Sequence, residues 1–360
     1  MRTVPRIAVV QFQPKIGQVH ANIARARELC RGIAPRAVDL VCFPEMAFSG
    51  YVFSGPAHIA PHLEHPRTGP TARFCAELAS RLKCYVVAGY PERLAAEEGG
   101  PDCNDPTYDA RDENESNVPY ETDEDDGHLN GANSAVLFGP DGRWVGGYRK
   151  THLFPVDETW AVPGTGFATF ALPPPLGTLA LGICMDLNPN PRPRARSNSS
   201  SSSSRSHSPS PSSSSSSSSS SALSSSVSSS SSQHGPPHIL RYELASHALV
   251  QRANVLVLLA AWLDSGEAPR ASCDASTIGY WAHRLGPLWW KSDLGPGDGE
   301  RKKDETLVVV CNRGGVENGK RFAGSSAVFC MRRGMGSAGV LRAAIGREEE
   351  GVMLWDAGAS

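Results

Sequence analysis

No apolar run in the 360-residue chain approaches the ~18 residues that a membrane-spanning helix needs, so no membrane partner is expected. No pair of cysteines has C-x-x-C spacing. The nine stand apart at positions 30, 42, 75, 84, 103, 184, 273, 311 and 330, which speaks against a zinc site. An odd count also speaks against a disulfide framework, so the thiols are expected to be reduced. No basic stripe is present and the net charge is only −2, which argues against nucleic acid as a partner. The opening MRTVPRIAVVQFQP lacks a signal-peptide core and enters a strand within six residues. The expectation is an intracellular protein, cytoplasmic by default, with nucleus and mitochondrion left open.

Two stretches cannot belong to a packed core. Between Ser197 and Ser232, 28 of 36 residues are serine, too little apolar surface to offset chain entropy. The wider segment 191–236 is therefore expected to be a disordered Ser-rich insertion, with a charge of +4 from Arg192, Arg194, Arg196 and Arg205. Segment 101–127 holds 11 acidic residues against one Arg and is expected to be an acidic surface excursion. The remaining ~300 residues suit one large domain or two small ones. At 40% hydrophobic and 20% charged, the whole has the composition of a soluble globular protein.

Short apolar runs alternate with helical stretches. Strands are expected at Arg6–Phe12, Val38–Phe43, Tyr85–Gly89, Leu179–Ile183, Val255–Ala260, Leu307–Cys311, Ser326–Cys330 and Val352–Trp355. The segments Asn133–Phe138 and Trp144–Tyr148, joined by Gly139-Pro140-Asp141-Gly142, have the pattern of a hairpin. Helices are expected at Asn22–Gly32, with Asn22 as cap and Gly32 as stop, at Thr71–Leu82 and at Ile239–Arg252. This order predicts a layered α/β domain.

Three residues share one kind of location, the end of an apolar run opening into a loop. Glu45 follows VCFP in PEMAFSGY, Lys150 follows WVGGYR in YRKTHLFPVDE, and Cys184 follows LALGI in GICMDLNP. Strand ends fix position while the loops beyond them leave a cavity, which is how α/β folds assemble active sites. Taken singly, each has an ordinary structural explanation: a small core thiol, a solvated lysine, a first-turn acid. Taken together they supply a nucleophile, a base and a cation for a developing oxyanion, without a metal or cofactor. Asp186 and Asn188, just beyond the thiol, could bind substrate polar groups or satisfy a turn. Tyr51 and Trp262 could wall a pocket, although core packing is the default for such aromatics.

PEMAFSGY, YRKTHLF and GICMDLNP, in that order, resemble the three signature regions of the nitrilase superfamily of carbon–nitrogen hydrolases. The resemblance extends from RIAVVQFQPKIG through VVAGYPE, NSAVLFGPDG and RFAGSSAVF to GREEEGVMLWD, outside only the acidic and serine-rich stretches. It implies one hydrolase domain over 1–360, folded as a four-layer α-β-β-α sandwich, usually dimeric or larger. It also implies catalytic roles for Glu45, Lys150 and Cys184. A second glutamate that positions substrate or lysine would fall on Glu158 in DETWAVPG, with Asp157 adjacent.

Within the superfamily, CMDLNP and YELASHALVQRANVLVLLAAWL resemble the fungal branch that acts on N-terminal asparagine of proteins. That likeness implies deamidation of N-terminal Asn, and of Gln, with ammonia released through a cysteine thioester. A hydrolase of small amides, carbamoyl compounds or nitriles is the alternative, and an inactive binding module a more remote one. Asp186, Glu158 and Asp157 are the nearest candidates to hold the substrate α-ammonium.

Overall fold

The computed structural model describes residues 4–94, 131–189, 242–290 apart from residue 269, 305–334 and 340–356. The acidic 101–127 and Ser-rich 191–236 stretches lie outside the described residues. Two six-stranded sheets form the frame. The first contains β1 (Arg6–Gln11), β2 (Leu40–Cys42), β3 (Tyr85–Arg93), β4 (Gly131–Phe138), β5 (Trp144–Arg149) and β14 (Gly351–Asp356). The second contains β6 (Ala168–Ala171), β7 (Thr178–Ile183), β8 (Val255–Ala260), β9 (Glu305–Asn312), β12 (Ala327–Arg332) and β13 (Leu341–Ala344). A small ribbon of β10 (Val316–Glu317) and β11 (Lys320–Arg321) stands apart.

The sheets are built alike. The first runs β14-β1-β2-β3-β4-β5, with β1, β2 and β3 parallel and the other pairings antiparallel. The second runs β13-β12-β9-β8-β7-β6, with β7, β8 and β9 parallel in the same way. Parallel strands need both faces covered, and the buried runs in these strands supply apolar side chains on both.

In β1, Ile7 and Val9 enter a core between the sheets, where Leu40, Cys42 and Val87 meet Leu181, Val257 and Val309. Ala8 and Val10 point the other way, against α1 (Val19–Leu29) and α3 (Pro70–Leu82). On the outer face of the second sheet, Ala180, Leu256 and Val308 pack on α4 (Glu243–Val250) and α5 (Ala275–Arg284). Helices, sheet, sheet and helices give four layers and three apolar interfaces. A short helix, α2 (Pro56–Ile59), belongs to the loops above the first sheet.

Two helix ends differ from expectation. Asn22 lies inside α1 and is buried, its amide bonded to the Lys15 N–H and to the Lys15 and Phe48 carbonyls. It ties the helix to the loop before it and to the loop that follows β2, instead of capping. α3 begins at Pro70, whose fixed φ suits a first helical turn, and ends at Lys83 in the left-handed region. Among the described residues no helix is long and apolar enough to cross a membrane.

Candidate active site

The parallel strands of both sheets end at one edge, and the three predicted catalytic residues emerge there. Glu45 follows β2 across Phe43 and Pro44; Lys150 directly follows β5; Cys184 directly follows β7. Beyond β2 the chain keeps pairing with β3: Phe43 N–H donates to Val87 O, Gly89 N–H to Pro44 O, and Ala47 N–H to Gly89 O. Gly89 makes that close approach possible, because a Cβ there would lie 2.6 Å from the Glu45 Cα. Met46 at φ +49° and Cys184 at φ +43° both hold left-handed backbone that non-glycine residues adopt only under constraint.

The constraint on Cys184 is Asp186. Its carboxylate accepts from Ile183 N–H at 2.7 Å, closing the turn around Cys184. It also accepts from Tyr148 Oη at 2.6 Å, Thr151 N–H at 3.0 Å and His152 N–H at 2.8 Å. Four donors occupy the roughly four lone-pair positions of a carboxylate. Asp186 therefore ties the Cys184 turn to the chain beyond Lys150 and has no acceptor left for an ammonium, which corrects its expected place as a substrate ligand. Asn188 is also engaged: Oδ1 accepts from Tyr280 Oη at 2.7 Å, and its carbonyl faces His152 Nδ1 at 2.8 Å.

At the centre the Lys150 ammonium lies fully buried between two carboxylates, 2.7 Å from Glu45 Oε1 and 2.6 Å from Asp157 Oδ2. Asn133 on β4 bridges the same two acids, its Nδ2 2.7 Å from Glu45 Oε1 and 3.0 Å from Asp157 Oδ1. The second acid is thus Asp157, while the side chain of Glu158 sits in an exposed position. A single helical turn spans 157–159, and the buried Trp160 and Ala161 follow Asp157 at three and four residues. That spacing turns Asp157 inward and Glu158 outward. The i+3, i+4 apolar pair was a signal present in the sequence. Nothing comparable marks Asn133.

The remaining Glu45 oxygen, Oε2, accepts from Ala261 N–H at 2.7 Å, at the end of β8. The same N–H lies near enough to the Cys184 sulfur to favour its ionised form. Burial pushes the Glu45 carboxyl up and Asp157 adds to the rise, against the pull of Lys150 and Asn133. Burial likewise raises the Cys184 thiol, reinforced by Glu45 and opposed by Lys150 and the Ala261 N–H. Burial alone would lower Lys150, but Asp157 and Glu45 overcome it and hold the amine charged. The resting site is a neutral thiol beside a strengthened base and a permanent cation.

A sequence model of the carbon–nitrogen hydrolases matches residues 6–190, which span Glu45, Lys150, Asp157 and Cys184. The chain belongs to the carbon–nitrogen hydrolase family. Over 356 residues it is 26% identical to a protein N-terminal amidase of Schizosaccharomyces pombe, covering 97% of this chain and 98% of that relative. It is 27% identical over 207 residues to a protein N-terminal amidase of Saccharomyces cerevisiae, covering 51% of this chain and 38% of that one. The crystal structure of an N-terminal amidase with an Asn-Glu-Ala peptide superposes with a TM-score of 0.64 at 18% identity, covering 98% of this chain and 97% of the other. That likeness establishes the nitrilase-type fold of this carbon–nitrogen hydrolase.

Proposed function

We propose that this hydrolase deamidates N-terminal Asn, and also Gln, of peptides and proteins with a free α-amino group, giving Asp or Glu and ammonia. One observation carries the chemistry: the buried Glu45 carboxylate is held by the Lys150 ammonium and the Ala261 N–H, and the Cys184 thiol lies within reach of all three groups. The substrate class is supported by the near full-length similarity to a protein N-terminal amidase, which extends well past the segment common to the wider family.

Glu45 removes the Cys184 proton as sulfur attacks the carboxamide carbon, so a raised base and an un-ionised thiol are well matched. The oxygen of the tetrahedral adduct takes up negative charge beside Lys150 and a backbone N–H of the Cys184 turn. Glu45 returns the proton to the amide nitrogen, the C–N bond breaks, ammonia leaves and a thioester remains on Cys184. Water then gives its proton to Glu45 and attacks the thioester, releasing the carboxylic acid and restoring the thiol. Asp157 touches no reacting atom in this scheme. It positions Lys150 and raises Glu45.

A site shaped for a free terminus leaves a buried polar group unpaired when that terminus is blocked, and such mismatches are strongly rejected. The test compares ammonia release from Asn-starting, acetyl-Asn-starting and Gly-Asn-starting peptides. Turnover of the first alone is expected. Equal rates on the first two would overturn the peptide reading and leave a hydrolase of small amides.

A further inference from the structure

Tyr51 lies six residues past Glu45 and is 3% exposed. It packs in a small apolar cluster with Met46, Phe53, Trp160, Ala261 and Phe322. Its position is held firmly by its backbone. The Tyr51 N–H donates to Glu317 Oε1 at 2.7 Å, the Val52 N–H donates to the same oxygen, and Arg313 Nη2 holds the other oxygen at 2.8 Å. The ring meets Phe322 edge-on and has the Lys150 ammonium 5.7 Å from its centroid.

The hydroxyl at the end of this ring is buried and has no hydrogen-bond partner among the described residues. Burial, followed by the charges of Asp157, Glu45 and Cys184 and by the close approach of the Asp157 side chain, pushes its ionisation well above the ordinary tyrosine range, so it stays a neutral O–H. Two more buried atoms nearby share its state: Asn133 Oδ1, whose amide nitrogen is bonded to Glu45, and Trp160 Nε1 in the same cluster. Orphaned buried polar groups cost stability and are rare in folded proteins. One of them is on the residue bonded to Glu45, and the Tyr51 hydroxyl lies within reach of the Glu45 and Cys184 charges, which points to a polar ligand at that carboxylate.

We propose that the Tyr51 hydroxyl accepts a hydrogen bond from the carboxamide –NH2 of the substrate and turns that nitrogen toward Glu45. In the mechanism above, Lys150 and a backbone N–H take the carboxamide oxygen, which leaves the nitrogen without an acceptor. Tyr51 supplies it, so that the proton Glu45 collects from Cys184 goes to the departing nitrogen. This inference rests on the carboxamide chemistry proposed above and not on the identity of the peptide behind it.

Tyr51→Phe retains the ring and removes the orphan hydroxyl. Melting temperature should be unchanged or higher, while kcat/KM for an Asn-starting peptide falls about 10- to 100-fold. A second measurement does not depend on peptide turnover: the rate of alkylation at Cys184, followed on the fragment that contains it, by iodoacetamide and by iodoethane. The carboxamide reagent should slow about five- to tenfold in the variant, and the reagent without an amide should not. If the wild-type enzyme ignores N-terminal Asn, the peptide reading fails while the ratio of the two alkylation rates still decides the role of Tyr51. A ratio that the variant leaves unchanged overturns the proposal. So does a melting temperature that falls together with activity, since the hydroxyl would then be structural.

Discussion

Replacing Asp157 with Asn removes one of the two negative charges that flank Lys150 while keeping the shape of the side chain. The Glu45 and Asp157 oxygens lie 2.7 and 2.6 Å from one nitrogen, so they are at most ~5 Å apart. Two like charges at that distance repel by about 3 kcal/mol at an effective dielectric constant of ~20. Relaxation around Lys150 reduces this figure in the protein. The sign follows from the direction of the Asp157 effect. Its carboxylate raises Glu45, so its loss lowers Glu45, and the acid limb of kcat/KM moves to lower pH. The weaker base and the looser lysine should together reduce kcat about 10- to 100-fold. Glu158→Gln, one residue away and exposed, should change neither. The assay is ammonia release across pH 4–9 for the three proteins, with Cys184 alkylation as a second readout, since Asp157 also raises the thiol. An unmoved acid limb in Asp157→Asn, or an equal shift in Glu158→Gln, would refute the assignment of Asp157 as the acid that positions Lys150.

Cys184→Ala should abolish ammonia release with little change in melting temperature, and Cys184→Ser should be nearly as inactive, because a hydroxyl ionises far less readily beside Glu45; turnover above trace in either variant would contradict the thioester route. Gly89→Ala puts a methyl against the Glu45 backbone at 2.6 Å, so kcat should fall more steeply than stability; a fully active variant would show that the loop after β2 yields freely. Glu64, buried against the first turn of α3, has its carboxyl pushed up by burial to about 7. A carboxyl raised in the folded state contributes stability below its unfolded pKa of about 4.5 and loses it as pH rises through about 7. Denaturant titrations at pH 5 and pH 8 should show Glu64→Gln gaining about 2 kcal/mol on the wild type at the higher pH, and a pH-independent difference would refute this.

The strands at the middle of each sheet were legible because they are buried on both faces and appear as unbroken apolar runs, as in VLVLLA for β8. The edge strand β6 was not: ATFA is short, half-buried and unremarkable without its partner β7. α5 was also missed, although Asp274 caps it by accepting from Thr277 N–H, a signal visible in DAST. At the site, Glu45, Lys150 and Cys184 could be picked out because each ends a strand-like run. Asp157 differs from Glu158 by the face of a single helical turn, and the apolar residues that decide that face come after it. Asp186 was ambiguous in the sequence since a turn-closing acid and a ligand look the same there, and its four donors come from residues up to 38 positions away. Asn133 and Tyr51 depend on contacts across long stretches of chain, which no local pattern records.

The most direct test of the central claim is the mass of the enzyme during turnover. Acid-quenching a reaction with an Asn-starting peptide and measuring intact protein should reveal an adduct equal to the peptide minus ammonia. Fragmentation should place that adduct on Cys184, and Cys184→Ala should lack it. An adduct on another residue, or steady ammonia release from an enzyme in which alkylation at Cys184 is complete, would contradict the account.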